Sequence, residues 1–255
     1  MKTIRTETQG TLLTVTLDRP ELRNAFNEDL ISELTAVFGA VPGETRTVIL
    51  TGAGGAFCAG ADVDWMKRSL SRTEGENARD ARAMAGMFRS VDECPVPVIA
   101  RVNGPAIAGG SGLVAACDIA IASRDAVFGF TEVRLGIIPA VISTYVLPKI
   151  GPGAARRYFL TGERFGAAEA LSLGLVHEVA EAASLDERIA AVTREILQCG
   201  PQAVRATKRL IREAAGLPRG EAIEHTIRAI AGIRVTPEAQ EGLGAFLEKR
   251  KPNWT

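Results

Sequence analysis

Histidine and cysteine are scarce in this chain of 255 residues, which holds two of the first and four of the second. Cys58, Cys94, Cys117 and Cys199 form no C-x-x-C pair, and His177 and His225 are the only imidazoles. A zinc site is hard to assemble from such a set, so no metal is expected. The thiols read as reduced and mostly packed, as in a cytoplasmic protein. Neither sign of charge dominates: Lys plus Arg and Asp plus Glu both number 30. That balance argues against a general nucleic-acid or membrane-surface binder. No apolar run reaches the ~18 residues of a membrane span. The opening MKTIRTETQG has neither an apolar h-region nor an Arg/Ser-rich amphipathic stretch, so no signal or transit peptide is read there.

What is present is a large apolar fraction, 46%, enough for a sizeable core. The length suits one large domain, alone or with an appendage. TLLTVTLDRP (11–20) alternates Leu13, Val15 and Leu17 with Thr14 and Thr16, a half-buried strand stopped by proline. Asn27 then suits a helix N-cap, with Leu30, Leu34 and Val37 as the apolar stripe. TVILTG (47–52) and PVPVIARVNG (95–104) read as strands, 67–93 as a helix, and 109–123 as helix then strand. The repeated strand–loop–helix plan is that of an α/β protein. From about residue 140 the periods turn helical. Ala203, Ala206, Leu210 and Ala214 mark one helix, and 236–249 reads as the last. The expected division is an α/β core over 1–195 and a helical module over 196–255.

Two glycine-rich loops follow strands. In GAGGAFCAGAD (52–62) the sixth residue from Gly52 is Phe57, so the dinucleotide fingerprint fails, and no lysine follows as a P-loop requires. In NGPAIAGGSG (103–112) the GGSGL around Ser111 lacks the final glycine of a nucleophile elbow. What survives is a pair of bare backbones, the second opening a helix. Either one alone reads as a tight turn. Together they can offer two N–H groups to one oxygen, an oxyanion hole.

These blocks resemble the enoyl-CoA hydratase/isomerase (crotonase) superfamily. The resemblance runs through LDRPELRNAFN, AFCAGADVDWM, NGPAIAGGSGLVAACDIAIAS, FGFTEVRLGIIP, LTGERFGAAEALSLGLVHEV and EGLGAFLEKRKPNW, nearly the whole chain. It implies a crotonase-like (ClpP/crotonase) α/β spiral of ββα units with a C-terminal helical module that trimerises, as a homotrimer or a hexamer of two trimers. It implies an acyl-CoA substrate, with coenzyme A entering as part of that substrate and no tightly bound cofactor. In similar enzymes the thioester oxygen accepts from two backbone N–H groups, which fall here on Ala61 and Gly109. Glu132 matches a catalytic acid/base. The family's other glutamate would fall at position 112, where this chain has glycine, and Gly112 is expected to leave room for a bulkier acyl group.

The resemblance also assigns contacts. Arg23 and Ala25 lie where relatives touch CoA, although Arg23 reads equally as a solvated arginine. Ala59, Asp62 and Val63 match positions lining the adenine and pantetheine. Phe246 and Lys249 match tail positions that reach CoA, often that of a neighbouring subunit; Lys249 equally suits a helix C-terminus. Trp65 and Met66 are expected to border the acyl pocket. Ser111, His177 and His225 receive no role. GGSGL, EVRLGIIPAVIS and ARRYFLTGERF look most like bacterial 3-methylglutaconyl-CoA hydratases of leucine breakdown, whose substrate carries a distal carboxylate and requires a cation at the far end of its pocket. A general short-chain hydratase and an enoyl-CoA isomerase are the alternatives. One branch of the family binds RNA through a lysine-rich first helix, but 27–40 contains no Lys or Arg, so no nucleic-acid partner is expected.

Overall fold

The alternation at residues 12–17 does build a strand with one buried face. In the computed structural model, which describes residues 1–254, β1 (Ile4–Gln9) and β2 (Leu12–Leu17) form a hairpin, and Leu13, Val15 and Leu17 point into the core. Asn27 caps α1 (Glu28–Gly39) by accepting from the Leu30 N–H at 2.9 Å. β3 (Thr47–Gly52) is buried at every position, as a strand covered on both faces must be.

The segment expected as one helix over 67–93 is two, α2 (Val63–Ser69) and α3 (Glu74–Asp92). The break is a capping box. Thr73 accepts from the Glu76 N–H, and the Glu76 carboxylate accepts from the Thr73 N–H. β4 (Val98–Val102) and the two-residue β5 (Ala106–Ile107) lead to α4 (Gly109–Ala116), β6 (Ile119–Ser123) and β7 (Val127–Gly129).

The stretch after residue 140 is not wholly helical. α5 (Ala140–Thr161) bends at Gly151, between Pro148 and Pro152. Then come β8 (Arg164–Gly166), α6 (Ala167–Ser172), β9 (Glu178–Ala180) and α7 (Leu185–Gln198). Three-residue strands carry too little alternation to read in advance. The tail is α8 (Pro201–Ala215), α9 (Arg219–Arg234) and α10 (Pro237–Leu247).

The main sheet runs β1-β2-β3-β4-β6-β9, parallel from β2 onward. A smaller sheet, β5-β7-β8, pairs β5 with β7 in parallel and β7 with β8 antiparallel. The principal core lies on one face of the main sheet and includes Phe26, Leu34, Phe88, Leu113 and Phe130. A smaller cluster around Ile99, Ile121 and Leu185 fills the other face under α7.

The tail is tied to the core by polar bonds. Lys208 Nζ donates to Asp118 Oδ2 at 2.7 Å and to Val96 O at 3.1 Å, and Asp118 also accepts from the Val98 N–H. Arg205 donates to the Gly43 and Thr45 carbonyls, and the Trp254 indole to the Gln198 carbonyl. The Lys208 side chain is only 10% exposed, so its loss would strand a half-buried carboxylate. Lys208→Ala is expected to cost about 3 kcal/mol in urea unfolding. A loss below about 1 kcal/mol, the value of a surface pair, would mean that apolar packing alone holds the tail.

Candidate active site

The two bare loops are laced together by their backbones. Phe57 and Cys58 donate to the Pro105 carbonyl at 3.0 and 3.1 Å, and Ile107 donates to the Cys58 carbonyl at 2.9 Å. Contact is so close at Gly110 that an added Cβ would lie 2.2 Å from the Cys58 carbonyl oxygen. Much of the glycine and alanine content therefore serves chain-against-chain approach within the protein itself.

On its other side the first loop pairs with residues 23–26. Ala59 donates to Arg23 O, Phe26 to Gly60 O, and Asp62 to Phe26 O, at 2.7–2.9 Å. Successive N–H groups of an extended chain point to opposite sides. With Gly60 O and Asp62 N turned toward Phe26, the Ala61 N–H faces away, and no acceptor among the described residues takes it up. Gly109 opens α4, so its N–H is one of the helix's unpaired first-turn donors, at the positive end of the dipole. The turn into it is strained: Ala108 is at φ 52°, ψ −117°, held by its own N–H bond to Gly129 O at 2.7 Å.

Ala61 and Gly109 line one cavity of about 540 Å³, together with Ala59, Trp65, Met66 and Glu132. Glu132 stands at the start of a 3-10 turn (Glu132–Leu135) just beyond β7. Its Oε2 is buried without a hydrogen-bond partner, and burial pushes its carboxyl above the usual carboxylate range. A carboxyl whose neutral form is favoured in this way suits a general acid/base.

The other residues singled out in the sequence do not line this cavity. Arg23 is exposed, and its carbonyl holds the first loop. Ala25 is buried, and its carbonyl accepts from Arg19. Asp62 caps α2 and pairs with Arg19 at 2.7 Å. Burial pushes its carboxyl up, but the bonds from Arg19 and from the Trp65 and Asp64 N–H groups outweigh this and hold it below its usual value. Val63, Phe246 and Lys249 are exposed. The vacancy expected beside Gly112 does not exist. A Cβ there would lie 2.3 Å from Ile142 Cγ2 and 3.2 Å from Phe88 Cε1, so Ile142 occupies the space.

Ile142, Asp80 and the exposed pair Ile137 and Ile138 also line the cavity, and no motif in the sequence singles them out. The one signal for the last two was GIIP, an apolar run with no strand or helix period. Ser111 donates to Ala106 O at 2.6 Å, and His177 Nδ1 accepts from the Ala120 N–H at 3.0 Å. Cys58, Cys94 and Cys117 are buried and Cys199 is exposed. No cluster of three His, Cys, Asp or Glu side chains suited to a metal occurs among the described residues. Nor is any helix among them long and apolar enough to cross a membrane.

Two outcomes are expected. Because the folded-state pKa of Glu132 is raised, its contribution to stability is present below the unfolded value near 4.5 and is lost as pH rises through the folded value. Glu132→Gln, which mimics the protonated form, should therefore raise the Tm at pH 8 and leave it nearly unchanged at pH 4. An equal gain at both would mean the carboxyl is not strained. Gly112→Glu should destabilise by about 1–3 kcal/mol through overpacking, and Ile142→Ala should relieve most of that in a double-mutant cycle. Additive costs would show that the two positions do not compete for space.

Residues 7–255 match the enoyl-CoA hydratase/isomerase family. The chain is 36% identical over 253 residues to a crotonyl-CoA hydratase of Syntrophomonas wolfei, covering 97% of this chain and 96% of that one. It is 35% identical over 251 residues to a short-chain-enoyl-CoA hydratase of Clostridium acetobutylicum, with 96% and 94% covered. Its backbone superposes on the crystal structure of an enoyl-CoA hydratase from Shewanella pealeana with a TM-score of 0.94 at 38% identity, over 99% and 96% of the two chains. An enoyl-CoA hydratase from Mycobacterium smegmatis gives 0.95 at 31%, over 100% and 99%. The fold is thus that of the crotonases, and the chain belongs to the enoyl-CoA hydratase/isomerase family.

Proposed function

We propose that this protein adds water across the C2=C3 bond of an enoyl-CoA thioester, or removes it in reverse. The observation that carries the reading is the meeting, in one apolar cavity, of two unpaired backbone N–H groups with a buried, unpartnered carboxyl. The thioester oxygen accepts from Ala61 and Gly109. Glu132, ionised, takes a proton from water as the water oxygen bonds to C3. The π electrons move to the thioester oxygen, and the enolate is stabilised by the two N–H groups. Glu132, now neutral, returns its proton to C2, so H and OH are both accounted for. No second carboxylate is required, in keeping with glycine at 112. Coenzyme A enters and leaves as part of the substrate. Arg23 and Ala25 beside the first loop, with Ala59, Asp62 and Val63, are the proposed CoA border. Phe246 and Lys249 serve a neighbouring subunit in a trimer or pair of trimers. The exposure of Ile227, Phe246 and Leu247 on α9 and α10 supports that assembly.

The acyl group we propose is short and uncharged. Among the described residues, the formally charged side chains that line the cavity, Glu132 and Asp80, are both acidic. Arg72, the cation beside Asp80, is already paired with Asp80 and Glu28. The distal carboxylate of 3-methylglutaconyl-CoA would have to displace one of those partners. A crotonyl group needs no such exchange, which places the general hydratase ahead of the leucine-pathway reading.

The test is turnover of crotonyl-CoA beside 3-methylglutaconyl-CoA, with water incorporation followed by mass. Crotonyl-CoA is expected to be preferred, and Glu132→Gln to lower kcat by roughly 10²–10⁴-fold. Preference for the branched acid would restore the leucine-pathway assignment. A shifted double bond without added water would make the protein an isomerase.

A further inference from the structure

Trp65 and Asp80 border two spaces at once. On one side they line the cavity that holds Glu132. On the other they line a groove of about 510 Å³ between α1 and α3, walled by Ile31, Thr35, Ala36 and Ala83. The periodicity of α3 explains the sharing. Asn77, Asp80, Ala81 and Met84 follow i, i+3, i+4, i+7 and border the cavity. Asp80, Ala83 and Gly86 follow i, i+3, i+6 and border the groove. The two stripes meet at Asp80. Ala83 and Gly86 put little bulk into the groove; Glu28, Ser32 and Thr35 are, with Asp80, its polar members, but most of its exposed lining is apolar.

The partition is therefore the Trp65 indole and the Asp80 carboxylate, the latter held by Arg72. The indole Nε1 is buried without an acceptor. A buried donor with no partner is a standing penalty, and rotation toward water removes it. Trp65 also sits on a seven-residue helix, bounded by the Asp62 cap on one side and the Thr73 capping box on the other.

We propose that Trp65, backed by the Asp80–Arg72 pair, sets acyl-chain length. With the indole in place the cavity accepts a short acyl group. With the indole swung aside, the cavity opens into the α1–α3 groove, and the distal methylenes of a long uncharged acyl chain lie there. The occupant is argued from continuity: the groove adjoins the cavity through Trp65, and its exposed lining is mostly apolar. This inference rests on the acyl-CoA reading above.

The experiment compares kcat/KM for C4, C8 and C12 2-enoyl-CoA thioesters. Trp65→Ala should raise the C12-to-C4 ratio tenfold or more, since each buried methylene is worth roughly a threefold factor. Trp65→Phe keeps the wall and should change the ratio little. Ala83→Phe, placed in the Trp65→Ala protein, refills the groove and should return the ratio to the wild-type value while C4 turnover is unchanged. A ratio unmoved by Trp65→Ala overturns the gate, as does one that Ala83→Phe fails to reverse.

A second measurement covers a variant that does not fold. The chain has two tryptophans, so Trp254→Phe leaves Trp65 as the sole fluorophore. Saturated C12 acyl-CoA should shift its emission and C4 acyl-CoA should not; the same spectrum with both overturns the gate. This binding assay needs no turnover. A protein inactive on every enoyl-CoA whose emission still responds to chain length would refute the hydratase reading and leave the gate standing.

Discussion

The pairing of residues 57–58 with 105–107 is the constraint on which the site depends. It brings together loops from two different strand ends of the main sheet. β5 also pairs with β7, placing Ile107 beside Gly129. Glu132 follows β7 by three residues. One short ladder therefore runs from the loop carrying Ala61, through the turn carrying Gly109, to the strand end that delivers Glu132. The ladder is backbone against backbone, and Gly104 and Gly110 let it close.

The same region concentrates local penalties. Ala108 sits at positive φ, Glu132 keeps a buried oxygen without a partner, and the Trp65 indole nitrogen is likewise unsatisfied. Each is unfavourable in isolation, and each persists because the surrounding core over-determines it. The Arg19–Asp62 pair, with side chains 12% and 9% exposed, anchors the loop on the CoA-proposed side. Asp62 thus earns its place in the AGAD motif through the scaffold: it fixes the start of α2 and with it the position of Trp65.

The fold was legible where periodicity was long or punctuation strong. The alternation through Leu13, Val15 and Leu17, the Asn27 cap and the Thr-Pro opening of the last helix all specify local structure directly. The split between α2 and α3 was also written, in Thr73 and Glu76, but was masked by a continuous charged run. The strands β5, β8 and β9 were invisible because two or three residues have no period; their pairing is dictated by distant partners. The two bare loops suggested an oxyanion hole by themselves, but assigning it to the candidate residues Ala61 and Gly109, with Glu132 beside them, took the resemblance, since a backbone donor leaves no side-chain trace in a sequence. Ile142 was out of reach altogether. That it fills the space beside Gly112 is a fact of packing between α4 and α5, and nothing local to either segment records it.

Cys58 gives the first loop a further property. It lies three residues from Ala61, fully buried, and burial pushes its thiol up to about 12. An α,β-unsaturated thioester is a soft electrophile, and a thiolate within reach would add to it at C3. By holding this sulfur inside the core as a neutral thiol, the protein keeps a cysteine in the tightest part of the loop without presenting a thiolate to such a substrate.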